Sequence, residues 1–371
     1  MRKKIAFVIA LVLYFSLYVM LIRRSPRIFK IASKIQIITS ANVQINVSSE
    51  KNHKIFHGYF QRQICRQIYG KIAIVSTMTA GNYVKNVVNN AVQSIKCYAK
   101  LRGYDLYQIQ EEKDGNYTGT NGWTIPKQCL KGEVALMKKR HCFIAHLLYH
   151  YDYIVHLDAD TGVVNPNHCF EEYITPGIDV FLLERVHSGE IQAGHYIVRN
   201  STYSRDFLMA WFRRMFEQKR VDNAELVFEF HSRVVSKEDI ANCKQWYFKY
   251  NRCIKKVMNG QMIFKNFKVY RIAHGFVRDA WTTGFKWSDK DFLLHAMKHQ
   301  DDVLFTRKLS PNDCLNDKWN LPLNKSLIVD MTRMKNIWRN VDMDMVNDGL
   351  RIEQADIADC WPQCPDNITM S

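Results

Sequence analysis

Two aspartates one residue apart, Asp158 and Asp160, carry the strongest chemical signal in this 371-residue chain. They follow Tyr153-Ile-Val-His-Leu157, a short, largely apolar run that reads as a buried strand, and Thr161-Gly162 comes after them. Carboxylates released together at the end of a buried strand repel each other and lose solvation. A divalent cation between them removes both penalties, and oxygen ligands suit magnesium or manganese. Such an ion can bridge a diphosphate and neutralise the charge that develops as a bond to it breaks. The same Asp-x-Asp spacing recurs twice. Asp289 and Asp291 lie in the polar run Trp-Ser-Asp-Lys-Asp, and no buried strand precedes Asp342 and Asp344. Both later copies read as solvated acidic turns.

The elements that must position Asp158 and Asp160 begin at residue 70. Lys71–Thr77 is apolar and β-branched after Gly70, which predicts a buried strand. Asn82–Lys100 has Val84, Val87, Val88, Ala91, Val92 and Ile95 on one helical face, and Gly103 ends the unit. Tyr104–Ile109 reads as a second strand. Lys131–Tyr149 reads as a helix with Val134, Met137, Ile144 and Leu148 in its apolar set, and Tyr153–Leu157 is the third strand. Further on, Asp179–Leu183, Tyr196–Arg199 and Phe267–Ile272 read as strands and Tyr203–Lys219 as an aromatic-rich helix. Strands alternating with helices predict an α/β fold, its sheet mainly parallel and covered on both faces. Ligands of such sheets bind beyond the carboxyl ends of the strands, where Asp158 lies.

The chain is 47% hydrophobic and 24% charged, which excludes disordered and collagen-like classes. The net charge of +16 is spread out, with a local excess after the first apolar segment. No zinc-finger spacing or aromatic-rich single-strand signature accompanies it, so nucleic acid is not an expected partner. Ile5–Ile22 is uncharged, between Arg2-Lys3-Lys4 and Arg23-Arg24. As a helix it would be about 27 Å long, enough for a thin bilayer core, and no small-x-small cleavage site precedes Arg23. The expected organisation is a cytoplasmic tail at 1–4, a transmembrane signal anchor at 5–22, a basic, polar stem at 23–66, a catalytic domain at 67–330 and a tail at 331–371 packed on it. Five Asn-x-Ser/Thr sites (Asn46, Asn116, Asn200, Asn324, Asn367) and ten cysteines fit an oxidising secretory compartment. Cys360 and Cys364 could bridge locally or pair elsewhere.

Four stretches resemble GT-A glycosyltransferases, in particular the Golgi galactosyl-, xylosyl- and mannosyltransferases of fungi and plants. A nematode-expanded group of uncharacterised transferase-like proteins looks closer still. The stretches are Ile72 to Thr77, Tyr151-Asp-Tyr-Ile-Val-His-Leu-Asp-Ala-Asp160, Gln192-Ala-Gly-His-Tyr-Ile-Val-Arg-Asn200 and Phe292-Leu-Leu-His-Ala-Met-Lys298, within residues 70 to 300. The resemblance implies a GT-A fold and a type II Golgi membrane protein with a lumenal catalytic domain. It implies transfer of a hexose or pentose from a UDP- or GDP-linked sugar to a glycan or glycoprotein, with retention. Asp158, Asp160 and His295 would hold manganese or magnesium. Thr77, Asp158, Asp160 and Lys298 would contact the nucleotide sugar, and Gln192 and Asp222 would lie at the reacting sugar. The family often has Gly after the late His, within the same turn, where this chain has Ala296 and Met297.

Bland readings exist for each. His295 and Gln192 can serve as structural hydrogen-bond partners, Lys298 as a helix-end cation, and Asp222 as a helix cap. Two other functions fit part of the pattern. A haloacid-dehalogenase-type phosphatase places a nucleophilic Asp and a second Asp after a buried strand, but wants Thr or Val where Gly162 stands. A transferase-derived Golgi scaffold without activity would also carry the fold. No His-Glu-x-x-His, Gly-x-Ser-x-Gly or phosphate-loop sequence is present.

Overall fold

The structure is a computed structural model. It describes Cys65 and residues 68–337, apart from 80–87, 112–116, 120–121, 131–135, 186–189, 219–220, 245–246, 300, 311–312, 315–320, 331–332 and 335–336. The chain divides into two compact units, Met1–Tyr59 and Phe60–Ser371, and all described residues belong to the second. The tail at 1–4, the anchor at 5–22, nearly all of the stem and most of 331–371 lie outside them, as do Asn46, Asn116, Asn367, Asp342, Asp344, Cys360 and Cys364. Among the described residues, no helix is long and apolar enough to cross a membrane.

The first strand, β1 (Ile72–Thr79), has both faces buried, as its unbroken apolar start requires. Ile72 and Ile74 enter one core and Ala73 and Val75 the other, by the two-residue period of a strand. Helix α1 (Asn89–Arg102) buries Ala91, Val92 and Ile95, with Val88 just before it. The upstream part of that predicted helix lies outside the described residues. Gly103 closes α1 at φ +77, donating its N–H to the Ala99 carbonyl, the left-handed cap that glycine accepts most readily. Then come β2 (Asp105–Glu111), β3 (Tyr117–Gly119) and α2 (Leu136–Leu147). Met137, expected in the apolar face of α2, is instead exposed; Ile144 and Leu148 are buried as expected. The helix presents Lys139, Arg140 and His141 to the interior, so its buried face is part polar.

Strand β4 (Tyr153–Asp158) leads into β5 (Gly162–Val163), then β6 (Val180–Leu183) and β7 (His195–Arg199). Helices α3 (Thr202–Gln218), α4 (Asp222–Val234), α5 (Lys237–Asn242) and α6 (Tyr247–Met258) follow. The chain continues through β8 (Phe267–Tyr270), β9 (Val277–Asp279), β10 (Leu293–His295) and the short α7 (Asp301–Leu304). Seven strands form the central sheet in the order β3-β2-β1-β4-β7-β6-β8. Five point one way, while β3 and β7 are reversed. The mixed sheet is therefore mainly parallel by strand direction, but its neighbouring pairs divide evenly between parallel and antiparallel. The reversal of β7 has a local cause: β6 returns straight to a neighbouring strand through residues 184–194, and so short a return joins strands antiparallel. One core joins the sheet to α2, α3, α4 and α6, and a second covers the opposite face with α1 and the turn at Phe170–Tyr173. A second sheet, β5-β10-β9, lies past the end of β4.

All eight described cysteines pair: Cys65–Cys169, Cys97–Cys314, Cys129–Cys142 and Cys243–Cys253. Of the two described glycosylation sequons, Asn200 is exposed, whereas Asn324 caps the turn at Lys325–Leu327 through its side chain.

Buried histidines make this fold acid-sensitive. His231 of α4 is 3% exposed, with Nδ1 3.3 Å from the Tyr250 hydroxyl, and burial lowers its pKa to about 3. Its folded pKa lies below the unfolded value near 6.5, so its contribution is complete above that value and is lost as pH falls from 6.5 toward 3. Urea unfolding at pH 7.5 and pH 5 is expected to show about 2 kcal/mol of acid loss attributable to this group. His231→Gln should shrink the loss by that amount; an unchanged pH slope would exclude His231 as its source.

Candidate active site

Asp158 closes β4 and pairs in register with Thr77 of β1. Thr77, expected to end its strand, does not, because β1 runs on to Thr79. It is nevertheless at the carboxyl end of the sheet, beside Asp158. The neighbouring strand β7 approaches so closely that a Cβ on Gly194 would overlap the Asp158 carboxylate. The glycine of Gln192-Ala-Gly-His195 is thus required by the position of Asp158.

Arg140 of α2 donates through one guanidinium nitrogen to Asp158 Oδ1 at 2.5 Å and through the other to Asp222 Oδ2 at 2.6 Å. The planar fork of arginine is suited to bridging two carboxylates. Burial favours a neutral Asp158, but Arg140 and the histidines around it hold its carboxyl far below the usual range. Asp222 begins α4, its Oδ1 accepting the N–H of Asn223 and its carbonyl accepting from Trp211 Nε1. Asp222 is thus the first residue of the helix and not its cap, a place Val221 takes without a side-chain bond, and its carboxylate reaches the site through Arg140.

Asp160 is buried one turn beyond Asp158, with Lys298 Nζ 2.9 Å from its Oδ2. The main chain closes the same gap, since Met297 N–H donates to the Asp160 carbonyl at 2.9 Å. His295 ends β10. Its Nδ1 donates to Asp279 Oδ1 at 2.6 Å, and Gln192 Nε2 lies 3.4 Å from that nitrogen. Its Nε2 lies 3.4 Å from Asp160 and 3.8 Å from Asp158, with no hydrogen bond to either. Burial opposes a proton on this ring, yet Asp160 and Asp279 raise its pKa to about 10. Burial also opposes charge on Asp160, while His295 and Lys298 bring its pKa down to about 2. The two sequence-predicted aspartates are therefore not bare: each already has a cationic side chain beside it.

The fit to a divalent cation can be tested on charge and on donors. Asp158, Asp160, Asp222, Asp279 and Glu190 face Arg140, Arg185 and Lys298, five carboxylates against three permanent cations. A proton on His295, favoured by Asp160 and Asp279, offsets one charge of that excess. A divalent ion would match it and displace the proton. The free Nε2 of His295, oriented from behind by Asp279, has the carboxylate-backed geometry of a metal-binding histidine. Asp158 and His295 offer ligand atoms to one place, with His195 as the third member of that cluster, while Asp160 lies 3.4 Å from His295 Nε2 without joining it.

Thr77, Asp158, Asp160, Gln192, Asp222, His295 and Lys298 all gather around this end of the sheet. Sequence reasoning missed Arg140, Asp279 and His195. The run Lys138-Lys-Arg-His141, lying in the middle of a predicted buried helix, was the available signal for Arg140. The reading of Asp289 and Asp291 as a solvated turn holds for exposed Asp289 only. Asp291 is buried and pairs with Arg278 through both oxygens, at 2.7 and 3.0 Å.

Ala296 has φ +71, a conformation glycine occupies without strain, and it stands where the resembling family often has glycine. Ala296→Gly is expected to raise the unfolding free energy by up to about 1 kcal/mol, measured by denaturant titration, while bulkier Val lowers it. A loss of stability in the glycine variant would show that the turn is not strained.

No curated protein matches the chain. Among solved structures, it is similar to a glycosyltransferase involved in glycosylation of the major capsid of PBCV-1. The identity is 14% and the TM-score 0.36, over 63% of this chain and 100% of that one. It is also similar to the catalytic domain of Drosophila β1,4-galactosyltransferase 7 in complex with xylobiose. Here the identity is 13% and the TM-score 0.22, over 38% of this chain and about half (51%) of the other. Residues 95–310, more than half of the sequence and including both aspartates, His295 and Lys298, match the family described as "Protein of unknown function, DUF273", and the chain belongs to that family.

Proposed function

We propose that the chain is a metal-dependent glycosyltransferase of the GT-A type, which moves a hexose or pentose from a UDP- or GDP-linked sugar to a glycan or glycoprotein with retention. The observation that carries this reading is the meeting of Asp158, Asp160, His295 and Lys298 beyond the carboxyl end of β4. Asp158, Asp160 and His295 would hold manganese or magnesium. Bound there, the ion would neutralise charge on a leaving diphosphate. Lys298, partly exposed and already beside Asp160, adds a cation on the same side. Thr77 would meet the nucleoside, since it shares the strand end with Asp158. Gln192 and Asp222 would face the sugar, Gln192 lying beside His295 and Asp222 held by Arg140. The site would sit in the Golgi lumen behind the 5–22 anchor, a location that the four disulfides support.

The phosphatase reading requires Asp158 as a free nucleophile, but Arg140 occupies its Oδ1. The scaffold reading retains the fold and drops the chemistry. Thermal unfolding of the full-length chain with UDP or GDP, with and without manganese, separates these. A ligand at about 100 times its Kd stabilises by about 2.7 kcal/mol. A shift needing both manganese and one nucleotide supports the transferase and names its donor class. A nucleotide shift without manganese would mean that Arg140 and Lys298 suffice. No shift with either nucleotide would sink the proposal.

A further inference from the structure

His195 opens β7 and is fully buried. Neither the spacing of Asp158 and Asp160 nor the transferase resemblance gives it a role. Its Nε2 is 2.6 Å from the hydroxyl of Thr161, the residue after Asp160, while its Nδ1 has no hydrogen-bond partner. The ring stands edge to face against His295, with centroids 4.6 Å apart. One ligand-capable atom from each of Asp158, His195 and His295 lies within 4.8 Å of the other two. Nδ1 of His195 and Nε2 of His295 are both buried without a hydrogen-bond partner, on two rings in edge-to-face contact. Leaving a buried polar atom unpaired costs about 1–3 kcal/mol, and a bound cation is one way to remove that cost.

The geometry points to a metal centre with two imidazole ligands, in which His195 joins His295 and the Asp158 carboxylate. The inference rests on the proposed function only for the presence of a cation. It adds a specificity to it. Oxygen-only sites suit magnesium and calcium, whereas imidazole favours later first-row metals. A site with two histidines should therefore select manganese, cobalt or zinc and bind magnesium weakly. Thr161 then has a defined part: its hydroxyl orients the His195 ring from one nitrogen, as outer partners of metal-bound histidines do.

The test is electron spin-echo spectroscopy on the full-length chain loaded with manganese, together with calorimetric titration of manganese, cobalt and magnesium. Nitrogen-14 modulation from two imidazoles is expected in the unaltered protein, so the result does not depend on a variant folding. His195→Gln, which keeps a polar group facing Thr161, should leave one imidazole and weaken manganese binding at least about tenfold. Magnesium binding and the metal-free melting temperature should change little. Manganese bound with a single imidazole, unchanged in His195→Gln and lost in His295→Gln, would overturn the inference and leave the proposed transferase standing. No manganese binding at millimolar concentration would overturn both.

Discussion

Asp158→Asn is expected to abolish manganese-dependent nucleotide binding and to reduce sugar transfer by about 100- to 1000-fold or more. Asparagine preserves the size of the side chain at the end of β4, including its clearance from Gly194. What it removes is the charge that Arg140 now holds and that a metal would share. Asp289→Asn supplies the control. It alters an identical Asp-x-Asp spacing, but at an exposed residue away from the cluster, and should leave nucleotide binding and transfer unchanged. Parallel calorimetry and transfer assays decide the matter. Full activity in Asp158→Asn, with the fold intact, would remove the chemical role of the pair.

The contrast between these two copies shows what local sequence could reveal. Tyr153–Leu157 announces a buried strand through five largely apolar residues, so the placement of Asp158 at a sheet end was legible. So were β1, β7 and α3, each a long enough apolar or periodic run to outweigh its neighbours. The three residues of β9 and of β10 carry no such run. Their pairing follows from the whole second sheet, in which His295 lies in parallel register with Asp279. The partner that orients His295 was therefore invisible until residues 279 and 295 met. Arg278–Asp291 was hidden for the same reason: a polar turn in sequence becomes a buried ion pair when an arginine arrives from another strand. Arg140 differs. A helix carrying Lys138-Lys-Arg-His141 cannot place all four in water and still bury its neighbours. That conflict in periodicity was readable, although its resolution by Asp158 and Asp222 was not.

Arg140→Ala is expected to cost about 3–5 kcal/mol of stability, because it strands Asp158 and Asp222 without the cation they share. The cost arises from burial. Asp222 is 8% exposed, and both oxygens that face Arg140 lose a charged hydrogen bond at once. Arg140→Lys should recover only part of it, since an ammonium is a single point charge and cannot span both carboxylates as the planar fork does. Pairing the alanine change with Asp222→Asn should return more stability than the lysine change, by removing one of the stranded charges instead of answering it. The same series separates packing from electrostatics through manganese. If Asp158 is a metal ligand, Arg140→Ala leaves its charge uncompensated, and manganese should raise the melting temperature of that variant by more degrees than it raises the wild type. Equal shifts in the two proteins would mean that Asp158 serves Arg140 alone and that the cation, if one binds, is held by Asp160 and His295 without it.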